Sequence, residues 1–429
     1  MKALSFDKNT LDFATIEKVG GIVTVVMLTF LSYNHLTQLS FSTPDDRWML
    51  LKNALVHPDH FSFGYLYKTF TSFNDIQYSP ANTIYYYLVY QINGYDPYYY
   101  HMFSFLFHLL NTLIIYLIAK EVLKAFNIAN VEWVAWLTSL IWAIHPLNVE
   151  PVVWISASKI VLFSFFSLLS FLLFIKAFFN QRAKYYLFSI LFFLVSCFCK
   201  EQALVTPLMC IAFIICYKRK HDNQRVASRK LYIYISFLLL LSAIFTIITV
   251  IANGMHSIEF SPITSYPVYQ RVILSFYCLS FYLANQVVPF NLHYHYTFPV
   301  KPYGQMPLPF YLFPAAFFIF VTFSIIMLRH ARDILFYVLC AGIFCIQIGL
   351  VLQIIPMTRP AILADRYMYI PLFASTLILM NLAVNEYYLK VKRKFRYVLQ
   401  VSFSIYLLYL ALYSNHLVSA WENFNLIKK

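Results

Sequence analysis

Residues 19–48 read VGGIVTVVMLTFLSYNHLTQLSFSTPDDRW, an apolar run from Val19 to Leu39 followed shortly by Pro44-Asp45-Asp46-Arg47-Trp48. The run is long enough to cross a bilayer. Two adjacent carboxylates beyond it need a reason, because charged residues make up 12% of the 429-residue chain and hydrophobic ones 61%. One reading is local: Thr43-Pro44 opens a helix, and Asp is favoured at such a start. The other is a pair of acids held at a membrane surface for chemistry. No small-residue cleavage site follows the run, which reads as a retained signal anchor.

Outward from this stretch, apolar runs recur, most of about 16 to 22 residues, the length expected of membrane-crossing helices, and some shorter ones that tilt or burial must accommodate. They lie near 101–119, 133–144, 160–178, 185–199, 203–217, 231–252, 310–328, 334–355, 368–389 and 397–412. The chain therefore reads as an all-α polytopic membrane protein without a soluble domain. Its net charge of +14 is spread through short connections between these runs, which speaks for topology and against a nucleic-acid partner. Tyr85-Tyr86-Tyr87 and Tyr98-Tyr99-Tyr100 suit the headgroup level, or secondarily a sugar-stacking surface. The seven Cys lie within apolar segments and lack a paired CxxC framework, so neither disulfides nor zinc ligation is expected.

Basic residues set the orientation. With the N-terminus (Lys2, Lys8, Lys18) inside, Lys120/Lys124, Lys176/Arg182/Lys184 and Lys218 to Lys230 also fall inside. Arg329/Arg332 and Lys390 to Arg396 join them if Val272–Val288 does not cross. The expectation is about eleven crossings, with 272–288 a re-entrant or interfacial hairpin ending at Pro289. Residues 1–18 are then cytoplasmic and 19–414 form the membrane domain, with outer loops at 40–100 and 253–309. Residues 415–429 form a short outer tail.

This orientation collects Asp45, Asp46, Glu150, Glu201 and Asp365 on the outer face, with Arg47, Lys52, Lys68, Lys159, Lys200, Arg271, Lys301, Arg359 and Arg366. Such a gathering marks a functional site, or ion pairs that lock loops together. The loop from His145-Pro146 through Glu150 and Trp154 to Lys159 carries more polar equipment than a turn needs, although an amphipathic interfacial helix would look similar. In Asp365-Arg366-Tyr367 the acid caps a helix, or Arg366 joins Arg359 in clamping a phosphate. Lys200-Glu201 is an ion pair or a phosphate contact. His293-Tyr294-His295 has two metal-capable rings but no third ligand at a telling spacing.

Taken in order, the acid pair, Tyr78-Ser79-Pro80, Tyr100-His101 with His108 and Asn111, His145 through Glu150 to Trp154, Lys200-Glu201 before Thr206-Pro207, and Asp365-Arg366-Tyr367 to Pro371 resemble one family. It is the membrane domain of the transmembrane and tetratricopeptide-repeat O-mannosyltransferases and their bacterial relatives, in the GT-C class. The likeness runs from about Phe41 to Trp421. Two departures stand out: Ser158-Lys159-Ile160 replaces the family's Arg-Lys-Asp or Arg-Ala-Asp after the tryptophan, and Ser79-Pro80 replaces its Tyr-Pro.

The resemblance implies a GT-C-like bundle that transfers a sugar from a polyprenyl-phosphate donor to a protein or glycan hydroxyl on the non-cytoplasmic face, with inversion. Asp45 would be the base, with Asp46 orienting the acceptor or exchanging roles with it. His145 and Glu150 would position sugar or acceptor, and Lys159, Lys200 and Arg366 would face the phosphate. Trp154, Glu201, Asp365 and Tyr367 complete the expected substrate site. No metal is obligatory, and a divalent ion is left open. A bacterial inner membrane is expected, the endoplasmic reticulum being the alternative. The rival function is a lipid-linked glycan transporter or flippase, which would carry deeper charges and often an internal repeat.

Overall fold

The computed structural model describes residues 21, 23–42, 44–58, 60–73, 78–222, 229–254, 266–329, 333–352, 354 and 361–421. The expectations for residues 1–18, for Arg225, Arg332 and Arg359, and for the chain beyond Trp421 lie outside them. The described residues contain helices and no strand, as backbone in hydrocarbon requires, because a helix satisfies its own N–H and C=O groups. In chain order the helices are α1 (23–32), α2 (Phe63–Thr71), α3 (Pro80–Asn93), α4 (Pro97–Ala125), α5 (Val131–Ile144), α6 (Ser158–Asn180) and α7 (Ala183–Cys199). They continue with α8 (Thr206–His221), α9 (Arg229–Gly254), α10 (Val268–Val287), α11 (Leu312–Leu328), α12 (Ile334–Gly349), α13 (Pro371–Asn381) and α14 (Arg393–Ala420).

Local chemistry explains several boundaries. Asp96 caps α4 by accepting the Tyr98 N–H at 3.0 Å, with Pro97 in the first turn. Gly94, at φ 61°, ends α3 where a side chain would be strained. Among the described residues, six helical stretches are long and apolar enough to cross a membrane, among them Pro97–Ala125, Ile155–Asn180 and Lys394–Ala420, and three more apolar helices are shorter. The protein is an integral membrane protein. The core is built where α4 packs on α5 and α6, α6 on α7, and α12 on α13 and α8.

The two ends of the bundle differ in chemistry. At one, Lys120 pairs with Glu132 at 2.7 Å and Lys220 with Asp333 at 2.6 Å. His221 there binds the Ala125 carbonyl at 2.8 Å, and Asn130 donates to Asn385 at 2.7 Å. These connections are the ones expected inside. Asp46, His145, Glu150 and Arg366 gather at the other end, where Ser414 donates to the Ile144 carbonyl at 2.7 Å.

Two expectations are corrected. Residues 272–288 are no hairpin: α10 is one continuous helix of 20 residues, because neither Gly nor Pro interrupts it between Pro267 and Pro289. Non-helical backbone follows it on both sides. Arg271 reaches the Ile354 carbonyl at 3.2 Å and Tyr282 the Ala364 carbonyl at 3.1 Å. The return segment binds alongside, with Gln270 donating to Gly304 at 2.8 Å and Tyr266 to Val300. The last helix runs on to Ala420, past both Leu412 and the start of the expected tail at 415, since no helix breaker intervenes.

Candidate active site

The loop between α5 and α6 hangs from a buried polar network. His108 donates from Nε2 to the Ala143 carbonyl and accepts from the Tyr369 hydroxyl, both at 2.9 Å. Trp142 Nε1 donates to the Tyr369 carbonyl at 2.7 Å, and Asn148 to the Trp142 carbonyl at 2.7 Å. Tyr33, from the first helix, closes the set on the Asn148 carbonyl at 3.1 Å. Buried polar groups are costly unless paired, so each bond helps fix the loop's position.

The acid pair is split by the fold. Asp46 is fully buried and accepts from the Ser156 N–H at 2.9 Å, from the Ser156 hydroxyl and from the Ser42 N–H at 3.0 Å. It ties the segment after α1 to the short turn ahead of α6. Burial raises its pKa, against the lowering by Ser156 and Ser42. Asp46 is thus surrounded by groups of its own loops, where the sequence expectation has it orienting the acceptor or exchanging roles with Asp45. Asp45 is half-buried and accepts from Trp48 Nε1 at 3.0 Å. Its negative charge also supports the guanidinium of Arg366.

Glu150 is 3% exposed and accepts twice from Arg366, from its N–H at 2.8 Å and from its guanidinium. Burial works against the Arg366 charge, but Glu150, Tyr367 and Asp45 outweigh it and raise the pKa. The guanidinium lies over the rings of Trp154, 4.8 Å from the centroid, and Tyr367, 5.3 Å away. Next to it, Asp365 accepts from the Tyr296 hydroxyl at 2.7 Å. Burial, then the charge of Glu150, pushes the Asp365 carboxyl well above the usual carboxylate range. Arg366 is thus paired with Glu150, where the sequence expectation has it facing a phosphate.

The remaining expected residues separate. His145 is fully buried, accepts the Leu147 N–H on Nδ1 at 3.2 Å and donates from Nε2 to the Gln286 carbonyl at 3.1 Å. Burial lowers its pKa to about 4, and the neutral ring joins the loop to the end of α10. Lys159 is half-buried, its Nζ 3.8 Å from the Met49 sulfur in the turn after the acid pair. Lys200 is 2% exposed and pairs with Glu201 at 3.0 Å. Among the described residues, no three of His, Cys, Asp and Glu are placed to hold a metal.

A cavity of about 380 Å³ opens beside the Glu150 cluster. Glu150, Asp365 and Val149 line it together with residues 291–294 and, from the end of α14, Tyr413, His416, Leu417 and Trp421. Trp421 stacks on Trp154 at 6.2 Å and meets Tyr294 at 6.4 Å. Ser156, Tyr296 and the cavity face of α14 were absent from the sequence reading. Ser156 lay inside a quoted motif and Tyr296 directly after His295, but neither carries a charge to draw notice.

No protein-family model matches the chain. A protein O-mannosyl-transferase of Caenorhabditis elegans is 24% identical over 266 residues, covering 59% of this chain and 36% of that protein. Among solved structures, the archaeal oligosaccharyltransferase AglB of Archaeoglobus fulgidus, in complex with an inhibitory peptide and a dolichol-phosphate, superposes with a TM-score of 0.51. That match is 12% identical and covers 96% of this chain and 56% of that one. A second A. fulgidus oligosaccharyltransferase structure, tethered to an acceptor peptide, gives 0.49 over the same shares. The chain thus spans little more than a third of the curated relative and just over half of the solved chain. The relative is an O-mannosyl-transferase, in line with the resemblance read from the motifs, and with AglB the likeness is one of fold.

Proposed function

We propose that this chain is a membrane glycosyltransferase that moves a sugar from a polyprenyl-phosphate donor to a hydroxyl acceptor on the non-cytoplasmic face. The observation that carries the reading is the split of the acid pair. Asp46 is consumed in building the loop, and Asp45 is left half-buried beside Arg366. A fold shared with an oligosaccharyltransferase over 96% of the chain supports the same class. The AglB complex with a dolichol-phosphate and a peptide, and the name of the curated relative, make a lipid-linked donor and a protein hydroxyl the first pair to try.

In the proposed step the Asp45 carboxylate takes the proton of the acceptor hydroxyl as its oxygen attacks the anomeric carbon. The bond from that carbon to the phosphate oxygen breaks, its electron pair leaves with the phosphate, and the configuration inverts. Lys159 is the cation assigned to the departing phosphate, where fixed positive charge lowers the barrier. Arg366 acts at one remove, holding Glu150 and keeping the field beside Asp45 positive. Mannose is the first sugar to test, and a bacterial inner membrane the first location.

The test is transfer of radiolabelled sugar from a panel of polyprenyl-phosphate sugars to peptide and glycan acceptors by protein in nanodiscs, with and without EDTA. Turnover that is lost in Asp45→Asn, with the fold retained, supports the reading. Turnover indifferent to that substitution sinks the assignment of Asp45. Movement of a lipid-linked glycan across the bilayer without transfer sinks the reaction class and favours a flippase.

A further inference from the structure

The cavity beside Glu150 is not used by the step above. It holds about 380 Å³, within the roughly 300–1,000 Å³ usual for small-molecule sites and ample for one hexose ring. Among the described residues, its lining contains two carboxyl side chains, Glu150 and Asp365, and no Lys or Arg. Such a lining offers a phosphate no fixed positive charge. A cationic guest is also disfavoured, because Glu150 already accepts twice from Arg366. Three aromatic rings, Trp421, Tyr294 and Tyr413, form part of the walls beside Val149, Leu292 and Leu417. Asn291, His293 and His416, all exposed, add amide and imidazole groups that can donate or accept.

The walls are held in place before any ligand arrives. Tyr406 donates to the Val287 carbonyl at 2.8 Å, Tyr409 donates to the Pro289 carbonyl, and Tyr413 accepts the Leu292 N–H at 3.2 Å. Three hydroxyls from α14 thus fasten the loop that forms the opposite wall. A preformed concave site with aromatic faces and a few convergent polar groups is how small polar ligands are bound.

We propose that this cavity binds one neutral hexopyranose ring, its C–H face against the aromatic wall and its hydroxyls on the carboxylates and rim amides. The ring comes from a sugar unit on the acceptor or from the donor's own sugar. Only that choice of sources rests on the glycosyltransferase reading; binding itself does not.

Saturation-transfer NMR with the full chain in nanodiscs tests it, using methyl hexopyranosides and a short neutral oligosaccharide, with a lysine-containing peptide as the charged comparison. Saturable binding is expected for at least one neutral sugar. His416→Ala, at the exposed rim, should weaken it about three- to tenfold, the usual loss for one hydrogen bond. Leu417→Trp, which fills the cavity from its half-buried wall position, should abolish it. No binding by any neutral sugar, unchanged binding in Leu417→Trp, or displacement of the sugar by the peptide at lower concentration would each overturn the proposal. A sugar that competes with the polyprenyl-phosphate donor marks the donor's ring as the ligand, and one that is itself extended marks the acceptor. Binding without turnover supports the cavity and strikes the glycosyltransferase reading, whereas turnover without sugar binding strikes the cavity alone.

Discussion

Replacing Asp46 and Asp45 singly by Asn should have opposite consequences. Asp46 receives the Ser156 N–H, the Ser156 hydroxyl and the Ser42 N–H on two oxygens. An Asn offers one oxygen and an NH₂. Turned toward Ser156 it keeps two bonds without their charge and presents a donor to the Ser42 N–H; turned the other way it strands the Ser156 N–H. One unsatisfied buried N–H costs about 1–3 kcal/mol, and each charge-assisted bond made neutral costs about 1 kcal/mol. Relief of the buried charge, which already raises the Asp46 pKa, offsets part of this. The net expectation for Asp46→Asn is a loss of about 2–4 kcal/mol in stability.

Asp45→Asn keeps an oxygen for Trp48 Nε1 at a half-buried position, and its stability should change by no more than about 0.5 kcal/mol. Its transfer rate should fall by about 10²- to 10⁴-fold, the usual contribution of a general base. Thermal melts followed by tryptophan fluorescence, paired with single-turnover transfer on the folded fraction, separate the two effects. If Asp46→Asn melted like the wild type but were inactive when folded, Asp46 would belong to the chemistry. The assignment would be reversed.

Other outcomes follow from the same contacts. His145 has a pKa lowered to about 4 by burial, so the native state resists its protonation. Stability is lost as pH falls below about 6.5 and on through 4, reaching about 3 kcal/mol at pH 4. His145→Gln, which can keep one donor and one acceptor, should flatten that slope in melts across pH 4–7; an unchanged slope would remove His145 as its source. Glu150→Gln and Arg366→Met should each destabilise by about 3–5 kcal/mol, because each leaves a buried partner unmatched, while the double variant should lose much less than their sum. Additive losses in chemical denaturation would show that the pair is not coupled. With the seven native Cys replaced, an impermeant maleimide should label Arg182→Cys and His293→Cys from opposite sides of a sealed vesicle, and labelling from one side would break the topology.

What the sequence could reveal follows from how rare charge is in this chain. Long apolar runs announce their helices directly, since few alternatives bury such backbone, and basic connections separate the two ends. The reading of 272–288 erred because charge parity was allowed to decide its shape. Local chemistry is the better guide there, as no residue in 268–287 favours a turn. The site was legible as a set of residue types but not as partnerships. Glu150 meets Arg366 across 216 positions and Asp46 meets Ser156 across 110, and no local pattern encodes either. Nor did the cavity signal itself, because the apolar and aromatic side chains it takes from α14 read equally well as a membrane span. A scarce acid in a membrane chain identifies a group that is costly to bury, but the cost can be met by another scarce group. Asp46 meets it with Ser42 and Ser156, Glu150 with Arg366, and Lys200 with Glu201. The residue to suspect of chemistry is the acid such pairing has not enclosed, and at the Asp45-Asp46 pair only the three-dimensional accounting distinguishes it from its neighbour.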